Sequence, residues 1–347
     1  MKKKLIILVT ILSLAILITG CDKDKEEKSS NKKYDYLVLV NKYSQLPDDW
    51  EKNVELVKAK NAWDEEIEVE KEAYEQYKKL VKELNKDLEE DKTTVELDST
   101  YRSVKDQQQL WDEWSKDPTK GIEYVKKFVA VPGYSEHHTG LAIDICIKKD
   151  GKLIYDNDEM IAEKKIFAKI HKKLAKYGFI LRYLEGRDDV TGYAYEPWHL
   201  RYVGSSEIAK EIMDKNITFE EYLDTRENLE EVPSALKYRI EKSLQEYFKE
   251  YYKGKISNSR FNITKIYTEK DSKEEPVKSL KLGKNEYAFE VTYQVEPAKG
   301  IDPNTLTIPN GEYDKKLEWV KNIKRVGVLK YNEKKDNYYI DKLEIGW

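Results

Sequence analysis

An apolar run that contains one carboxylate limits what this chain can fold into. Residues 141–147 read Leu-Ala-Ile-Asp-Ile-Cys-Ile and alternate as a β-strand does. Asp144 lies on the face opposite Leu141, Ile143 and Ile145. An unpaired buried charge is too costly to leave in an apolar strand. The fold must therefore bring a cation or hydrogen-bond donors from elsewhere in the chain to Asp144.

Histidines near this run and downstream of it are candidate partners in a metal site. His137 stands seven residues before Asp144, and Glu196-Pro-Trp-His199 follows later in the chain. A catalytic zinc ion takes three protein ligands from His, Asp and Glu and keeps one position open for water. His137, Asp144 and His199 would supply such a set, and Zn²⁺ is the cofactor that they predict.

Glu196 is a candidate general base because it stands three residues before His199. Positions three apart on an unbroken strand face opposite ways. Pro197 favours an irregular backbone at this point, which would allow both side chains to reach one site.

Spacing alone does not decide between the adjacent His137 and His138. Strand alternation would put His138 on the side of Asp144, but the Thr139-Gly140 pair makes that extrapolation unsafe. His171, on a predicted helix, is interpreted as a partly buried structural histidine, and Cys146 as a buried, inert thiol.

Arg102 follows a strand-like stretch and precedes a Gln-rich helix. It is interpreted either as a surface residue or as a clamp for a carboxylate, since a guanidinium group offers two parallel hydrogen bonds. Gln107, five residues later on the predicted helix, would orient the Arg102 side chain. Ser135 would donate to a developing oxyanion or support the turn before His137.

The first twenty residues have the pattern of a targeting segment, with three lysines, an apolar stretch and then Ile18-Thr-Gly-Cys21. This ending resembles the lipobox of bacterial lipoproteins, which implies cleavage before Cys21 and lipid on that residue. The apolar stretch is shorter than the ~20 residues that a membrane span needs. We expect a membrane-anchored protein that works outside the cytoplasmic membrane, with residues 21–34 as a flexible tether.

Two α+β domains are predicted after the tether, at 35–226 and 232–347. The first includes a strand at Tyr36–Asn41 and a helix at Asn157–Tyr177, and the second consists of one long helix and an antiparallel sheet. The second domain resembles cystatin-like or nuclear-transport-factor-like folds. The chain has 62 Lys and Arg against 66 Asp and Glu and no basic block after the leader, so no nucleic-acid partner is expected.

Three segments together resemble the signatures of the VanY-type carboxypeptidases of peptidoglycan, and the resemblance spans roughly residues 36–204. The segments are Tyr101-Arg-Ser103 with Gln107, Ser135-Glu-His-His-Thr-Gly-Leu-Ala-Ile-Asp144, and Glu196-Pro-Trp-His-Leu-Arg-Tyr202. The resemblance implies a small α+β domain of the hedgehog and D,D-peptidase kind, whose antiparallel sheet carries zinc.

The roles that the resemblance implies are as follows: His137, Asp144 and His199 as ligands, Glu196 as base, Arg102 as clamp for the substrate's terminal carboxylate, and Ser103, Gln107 and Ser135 lining the site. His138 falls where family members commonly carry Gln, so the resemblance favours His137 as the ligand. The function it implies is removal of a terminal D-alanine from stem peptides. The alternatives are L,D-carboxypeptidase or endopeptidase action on the same peptides, or a non-catalytic wall-binding lipoprotein. The oligomeric state is not predicted.

Overall fold

The computed structural model describes residues 35–47, 50–116, 121–226, 229, 233–271, 277–306, 308–315 and 318–346. The predicted leader, tether and lipidated Cys21 lie outside these residues. In the described part of the chain, no helix combines the length and hydropathy needed to cross a membrane. We refer to 35–226 as the N-terminal region and to 233–346 as the C-terminal region.

The N-terminal region contains seven strands and eight α-helices among its described residues. The strands are β1 (Leu56–Lys60), β2 (Glu66–Glu70), β3 (Thr93–Ser99), β4 (Ala142–Lys149), β5 (Lys152–Ile154), β6 (Phe179–Leu181) and β7 (His199–Tyr202). The helices are α1 (Lys71–Asp87), α2 (Val104–Lys116), α3 (Gly121–Phe128), α4 (Asn157–Ala162), α5 (Lys164–Leu174), α6 (Asp188–Thr191), α7 (Ser206–Lys215) and α8 (Phe219–Asp224).

Strand β4 is the centre of the N-terminal sheet. The order is β3-β4-β7-β6, with β5 also paired to β4, and every pairing is antiparallel. Strands β1 and β2 form a separate hairpin. Ile143, Ile145 and Ile147 of β4 are buried in one apolar cluster with the inward stripe of α1. The predicted alternation of β4 therefore places its apolar face on the core.

The C-terminal region is one long helix, α9 (Pro233–Tyr252), against an antiparallel sheet. Its strands are β8 (Ile256–Tyr267), β9 (Glu286–Pro297), β10 (Glu312–Asp314), β11 (Trp319–Asn332) and β12 (Asn337–Glu344). The order is β10-β11-β9-β8, with β12 on β11. The α+β class predicted for both regions is confirmed.

Two local predictions were wrong. Tyr36–Asn41 forms no strand, although Val38 and Val40 are buried. Its backbone is held by a side chain, because Arg201 Nη2 donates to the carbonyls of Tyr36 and Val38 at 2.9 and 2.7 Å. The predicted helix at 157–177 is broken at Glu163 into α4 and α5 and ends in a 3-10 turn.

A single apolar cluster joins the two regions. Leu39, Ile180, Phe219 and Tyr222 of the N-terminal region are buried in it together with α9 and the C-terminal sheet. The predicted domain boundary stays a prediction, and the described residues on both sides of it belong to the same compact unit.

Candidate metal centre and catalytic cavity

Three different elements carry His137, Asp144 and His199. His137 lies in the 3-10 turn Glu136–Thr139, Asp144 lies within β4, and His199 is the first residue of β7, directly opposite Asp144 in the sheet register. Gly140 ends the turn with a φ of 74°, a left-handed conformation that a glycine adopts without strain. This turn directs His137 back over Asp144.

The three side chains present one cluster of ligand atoms. His137 Nε2 lies 3.2 Å from Asp144 Oδ2, and His199 Nδ1 lies 3.0 Å from Asp144 Oδ1. All three ligand atoms lie within 4.8 Å of one another. Among the described residues, the buried Asp144 Oδ1 accepts no well-aligned hydrogen bond, although His199 Nδ1 lies 3.0 Å away. A carboxylate that lies between two imidazole rings and has such an orphaned oxygen fits a metal cation.

The remaining nitrogen of each histidine has a protein partner. His137 Nδ1 lies 2.6 Å from the carbonyl of Thr100, and His199 Nε2 lies 3.3 Å from Glu136 Oε2. Such contacts to the second ring nitrogen fix the tautomer and the orientation of metal-binding histidines. The first nitrogens are thereby turned towards Asp144.

The charges of the cluster shift its titration. Burial opposes ionisation of His199, but the carboxylates of Asp144, Glu136 and Glu196 outweigh it and raise its pKa to about 10. Burial also opposes ionisation of Asp144, yet the two histidines hold its pKa well below the usual range. Burial lowers the pKa of His137, so binding of a cation to the cluster must displace a proton from His199.

Glu136 is a residue that sequence reasoning missed. Its fully buried carboxylate accepts from Arg182 Nε at 2.7 Å and Arg201 Nη1 at 2.8 Å. Arg182 also binds Glu220 of α8 through two contacts of 2.8 and 2.6 Å. The signal available in the sequence was two arginines in short apolar segments, one directly after β6 and one within β7, each of which requires an anion if it is buried.

Glu196 is buried just before β7, with Oε2 3.6 Å from His199 Nδ1. A turn in which His199 N donates to the carbonyl of Glu196 brings the two side chains to one side, as the irregular backbone at Pro197 predicts. Burial, together with the carboxylates of Asp144 and Glu136, raises the pKa of Glu196 to about 8. A carboxyl group poised near neutral pH suits general acid–base work.

Arg102 faces the same cavity of about 300 Å³ as the three candidate ligands and Glu196. Its Nη1 donates to Gln107 Oε1 at 2.8 Å, and its Nη2 donates to Ser99 Oγ at 3.1 Å. Gln107 in turn donates to the carbonyl of Ala130 at 2.7 Å. Gln107 therefore orients Arg102, and the guanidinium group is held at the cavity wall.

The two predicted serines have different positions. Ser135 lines the cavity, and its Oγ accepts from the backbone N–H of His137 at 3.3 Å, which supports the turn. Ser103 instead hydrogen-bonds Asp106 at the start of α2 and does not line this cavity. Asp98 and Tyr183 also line the cavity, although neither was a candidate. Burial and the Asp144 charge raise the pKa of Asp98 to about 7.

The adjacent histidines His137 and His138 have different partners. His138 Nε2 accepts from the backbone N–H of Gly133 at 3.0 Å, and Nδ1 donates to the carbonyl of Arg102 at 2.6 Å. Both of its nitrogens are engaged with backbone, whereas His137 keeps one for the cluster. His171 Nε2 donates to the carbonyl of Pro197 at 2.9 Å, and Cys146 is a buried free thiol.

The family model described as VanY, D-alanyl-D-alanine carboxypeptidase, matches residues 66–205. The bifunctional D-Ala-D-Ala dipeptidase and D-Ala-D-Ala carboxypeptidase VanXYC of Enterococcus gallinarum is 39% identical over 163 residues, which cover 46% of this chain and 80% of that protein. The chain belongs to the VanY family. It is accordingly an enzyme of the carboxypeptidase class.

Solved structures of VanY-type enzymes are also similar to this chain. The LdcB LD-carboxypeptidase, whose structure concerns peptidoglycan recognition, has a TM-score of 0.45 and 36% identity, covering 55% of this chain and 86% of its own. A mutant of the D,D-pentapeptidase VanY from a VanB-type resistance cassette, in complex with Zn(II), has a TM-score of 0.43 and 27% identity, covering 55% and 99%. The VanY family match ends at residue 205, before α7 and the C-terminal region.

Proposed function

We propose that this protein is a zinc-dependent D-alanyl-D-alanine carboxypeptidase that removes the terminal D-alanine of peptidoglycan stem peptides. The observation that carries the proposal is the convergence of a three-residue ligand cluster, the buried Glu196 and the guanidinium group of Arg102 on one cavity. Membership of the VanY family supports this substrate class.

His137 Nε2, a carboxylate oxygen of Asp144 and His199 Nδ1 are the atoms that would hold the zinc ion. Two imidazoles and one carboxylate form a donor set that zinc enzymes use. When bound, zinc supplies a Lewis acid that polarises a carbonyl group and lowers the pKa of a water molecule to about 7.

Arg102 and Glu196 supply the rest of the proposed chemistry. Arg102 binds the free carboxylate of the terminal residue through its guanidinium fork, and its contacts to Gln107 and Ser99 keep that fork fixed. Glu196 takes up a proton on its carboxylate during attack and returns it to the leaving amine. Its burial and its position beside His199 fit a group that exchanges one proton in a largely dry site.

The test is release of D-alanine from synthetic stem peptides by the purified full chain. Pentapeptides ending in D-Ala-D-Ala should lose one D-alanine, chelation should abolish the release, and added zinc should restore it. Release of D-alanine from tetrapeptides only would show that the enzyme is L,D-specific. A new amino group within the peptide, without free D-alanine, would show that it is an endopeptidase. No cleavage by the zinc-loaded protein would overturn the proposal and favour a non-catalytic wall-binding role.

We further propose that the protein is a lipoprotein, anchored through Cys21 on the outer face of the cytoplasmic membrane. The support is the sequence pattern of residues 1–21. Cells that express the chain should incorporate labelled palmitate into it and retain it in the membrane fraction. The Cys21→Ser variant should lose the label, and equal labelling of both forms would contradict the proposal.

A further inference from the structure

A second cavity lies next to the catalytic one and is walled partly by the C-terminal region. Its volume is about 580 Å³, and Val129 and Tyr193 line both cavities. Arg260 of β8 and Trp319 of β11 form part of its wall. The VanY family match ends at residue 205, so these two side chains come from outside the matched part of the chain.

Arg260 is the unusual residue of this second cavity. Its guanidinium carbon lies 4.0 Å from the ring centroid of Trp319 and 5.1 Å from that of Tyr134. Its half-buried side chain makes no hydrogen bond or ion pair with any residue in the described ranges, and its Nε is buried without a partner. Burial lowers the pKa of this guanidinium group, so its positive charge is poorly solvated.

The stacking explains how this charge is held ready for a ligand. Aromatic rings contact the flat faces of a guanidinium group, whereas its N–H donors point outward along its edge. A planar carboxylate can accept two parallel hydrogen bonds from that edge. Since a half-buried cation without a counter-ion is partly desolvated, an anionic ligand would offset that cost.

The surrounding charges are mixed, but none in the described ranges forms an ion pair with Arg260. Four lysines and three carboxylates line the same cavity, namely Lys42, Lys116, Lys126, Lys315, Asp112, Glu296 and Glu318. Glu296 lowers the cost of the Arg260 charge only at long range, because no ion pair joins the two among the described residues.

Tyr134 links this cavity to the catalytic machinery. It directly precedes Ser135, which caps the turn that carries His137. Its hydroxyl accepts from Gln294 Nε2 at 3.1 Å and donates to Gln45 Oε1 at 3.2 Å. Gln294 is the register partner of Arg260 on β9. The C-terminal sheet therefore fixes both Arg260 and the loop at the edge of the active site.

We propose that Arg260, stacked between Tyr134 and Trp319, is a specificity residue that binds a carboxylate on the part of a peptide substrate upstream of the scissile bond. The inference rests on the proposed carboxypeptidase function. It assigns a role in substrate binding to the C-terminal region. The enzyme should accordingly favour acidic peptides over neutral ones of equal length.

The test compares three kinds of substrate with the full chain. One is a short acyl-D-Ala-D-Ala that fills only the catalytic cavity. The others are peptides extended by one to three residues beyond it, with either Glu or Gln at the outermost position. One of these lengths should place the outermost residue at Arg260. At that length, the KM of the wild-type enzyme for the Glu peptide should be about tenfold below its KM for the Gln peptide, as expected for one charge-assisted interaction.

Arg260→Gln should raise the KM of the Glu peptide to that of the Gln peptide, with kcat and the short substrate unaffected. Arg260→Lys, which keeps the charge, should recover part of the preference. Lys342→Gln removes an exposed charge from β12 of the same sheet and should change nothing.

The outcomes separate this inference from the proposed function. Hydrolysis of all three substrates by the wild-type enzyme without a preference for Glu would overturn the role of Arg260, even if Arg260→Gln failed to fold. Failure to hydrolyse any of the three would instead overturn the proposed function on which it rests.

Discussion

At the scale of single residues, contacts with neighbouring protein groups fix the orientation of the site side chains. Arg102 is held by Gln107 and Ser99, and His137 is held by the carbonyl of Thr100. Preorganisation of this kind lets a group meet its ligand without a large loss of rotamer entropy.

Replacement of Arg102 by Lys tests the carboxylate clamp. Lysine keeps the charge but loses the planar fork, so kcat/KM for a peptide acid should fall by about 10- to 100-fold. A peptide with an amidated C-terminus should be an equally poor substrate for both enzymes. Arg325→Lys on β11 serves as the control. Unchanged kinetics for Arg102→Lys would show that Arg102 does not act as the carboxylate clamp.

Substitution of each adjacent histidine by Gln tests which of the two binds metal. His138→Gln should keep its zinc and most of its activity, because an amide can replace the contact with Gly133 N–H. His137→Gln should lose both. The measurement is the zinc content of each variant by mass spectrometry. Loss of zinc from His138→Gln but not from His137→Gln would show that His138 is the ligand.

At the scale of elements, the segment 35–47 connects the two regions. Its residue Ser44 hydrogen-bonds Glu241 of α9 and pairs with Phe261 of β8, and Lys237 Nζ donates to the carbonyl of Gln45 at 3.2 Å. Glu241 is buried, and among the described residues its Oε1 accepts no hydrogen bond, although Lys237 Nζ lies 3.9 Å away. Helix α9 is thus joined to the N-terminal region through a buried carboxyl group.

The stability of this contact should depend on pH. Burial raises the pKa of Glu241 to about 7, although Lys237 and Ser44 oppose the shift. A raised folded-state pKa means that the folded protein binds more protons than the unfolded chain between about pH 4.3 and 7. Its contribution to stability is therefore full at low pH and is lost as the pH rises to about 7.

Glu241→Gln should remove this loss, because the amide stays neutral at every pH. Its free energy of unfolding should match that of the wild type near pH 4 and exceed it by up to about 3 kcal/mol at pH 8. Urea titrations across this range provide the measurement. A constant difference between the two proteins would show that Glu241 does not titrate as described.

Local periodicity predicted the elements well but not the contacts between them. The alternation of β4 and the long helix α9 both follow from repeats that a few residues reveal. The segment 36–41 was wrongly predicted as a strand because its apolar side chains are buried in the apolar clusters while its backbone carbonyls bind Arg201 rather than a neighbouring strand. The contacts of Glu136 were missed because its two arginine partners, Arg182 and Arg201, lie 46 and 65 positions away in the sequence.

At the scale of the whole molecule, the two regions share one apolar cluster. Phe219 of α8 is fully buried in it, and the guanidinium groups of Arg182 and Arg201 lie 5.5 and 5.0 Å from its ring. Separation of the regions would expose this surface to water. The predicted domain boundary stays a prediction, and residues on both sides of it lie in this cluster.

The two regions should therefore unfold in one cooperative transition. Phe219→Ala should destabilise the whole by about 3–5 kcal/mol, the usual cost of emptying a buried aromatic site. Calorimetry, with fluorescence of Trp198 and Trp319 as regional probes, should show coincident midpoints for the wild type and the variant. The exposed Tyr339→Ala serves as the control. Two separate transitions would contradict a shared core.

The most direct test of the central claim is the Glu196→Gln variant, assayed for D-alanine release and for bound zinc in the same preparation. Gln fills the same space but exchanges no proton, so the rate should fall by about 10²- to 10⁴-fold while one zinc ion per chain remains bound. Retention of near wild-type hydrolysis by the zinc-loaded variant would contradict the account of the active site.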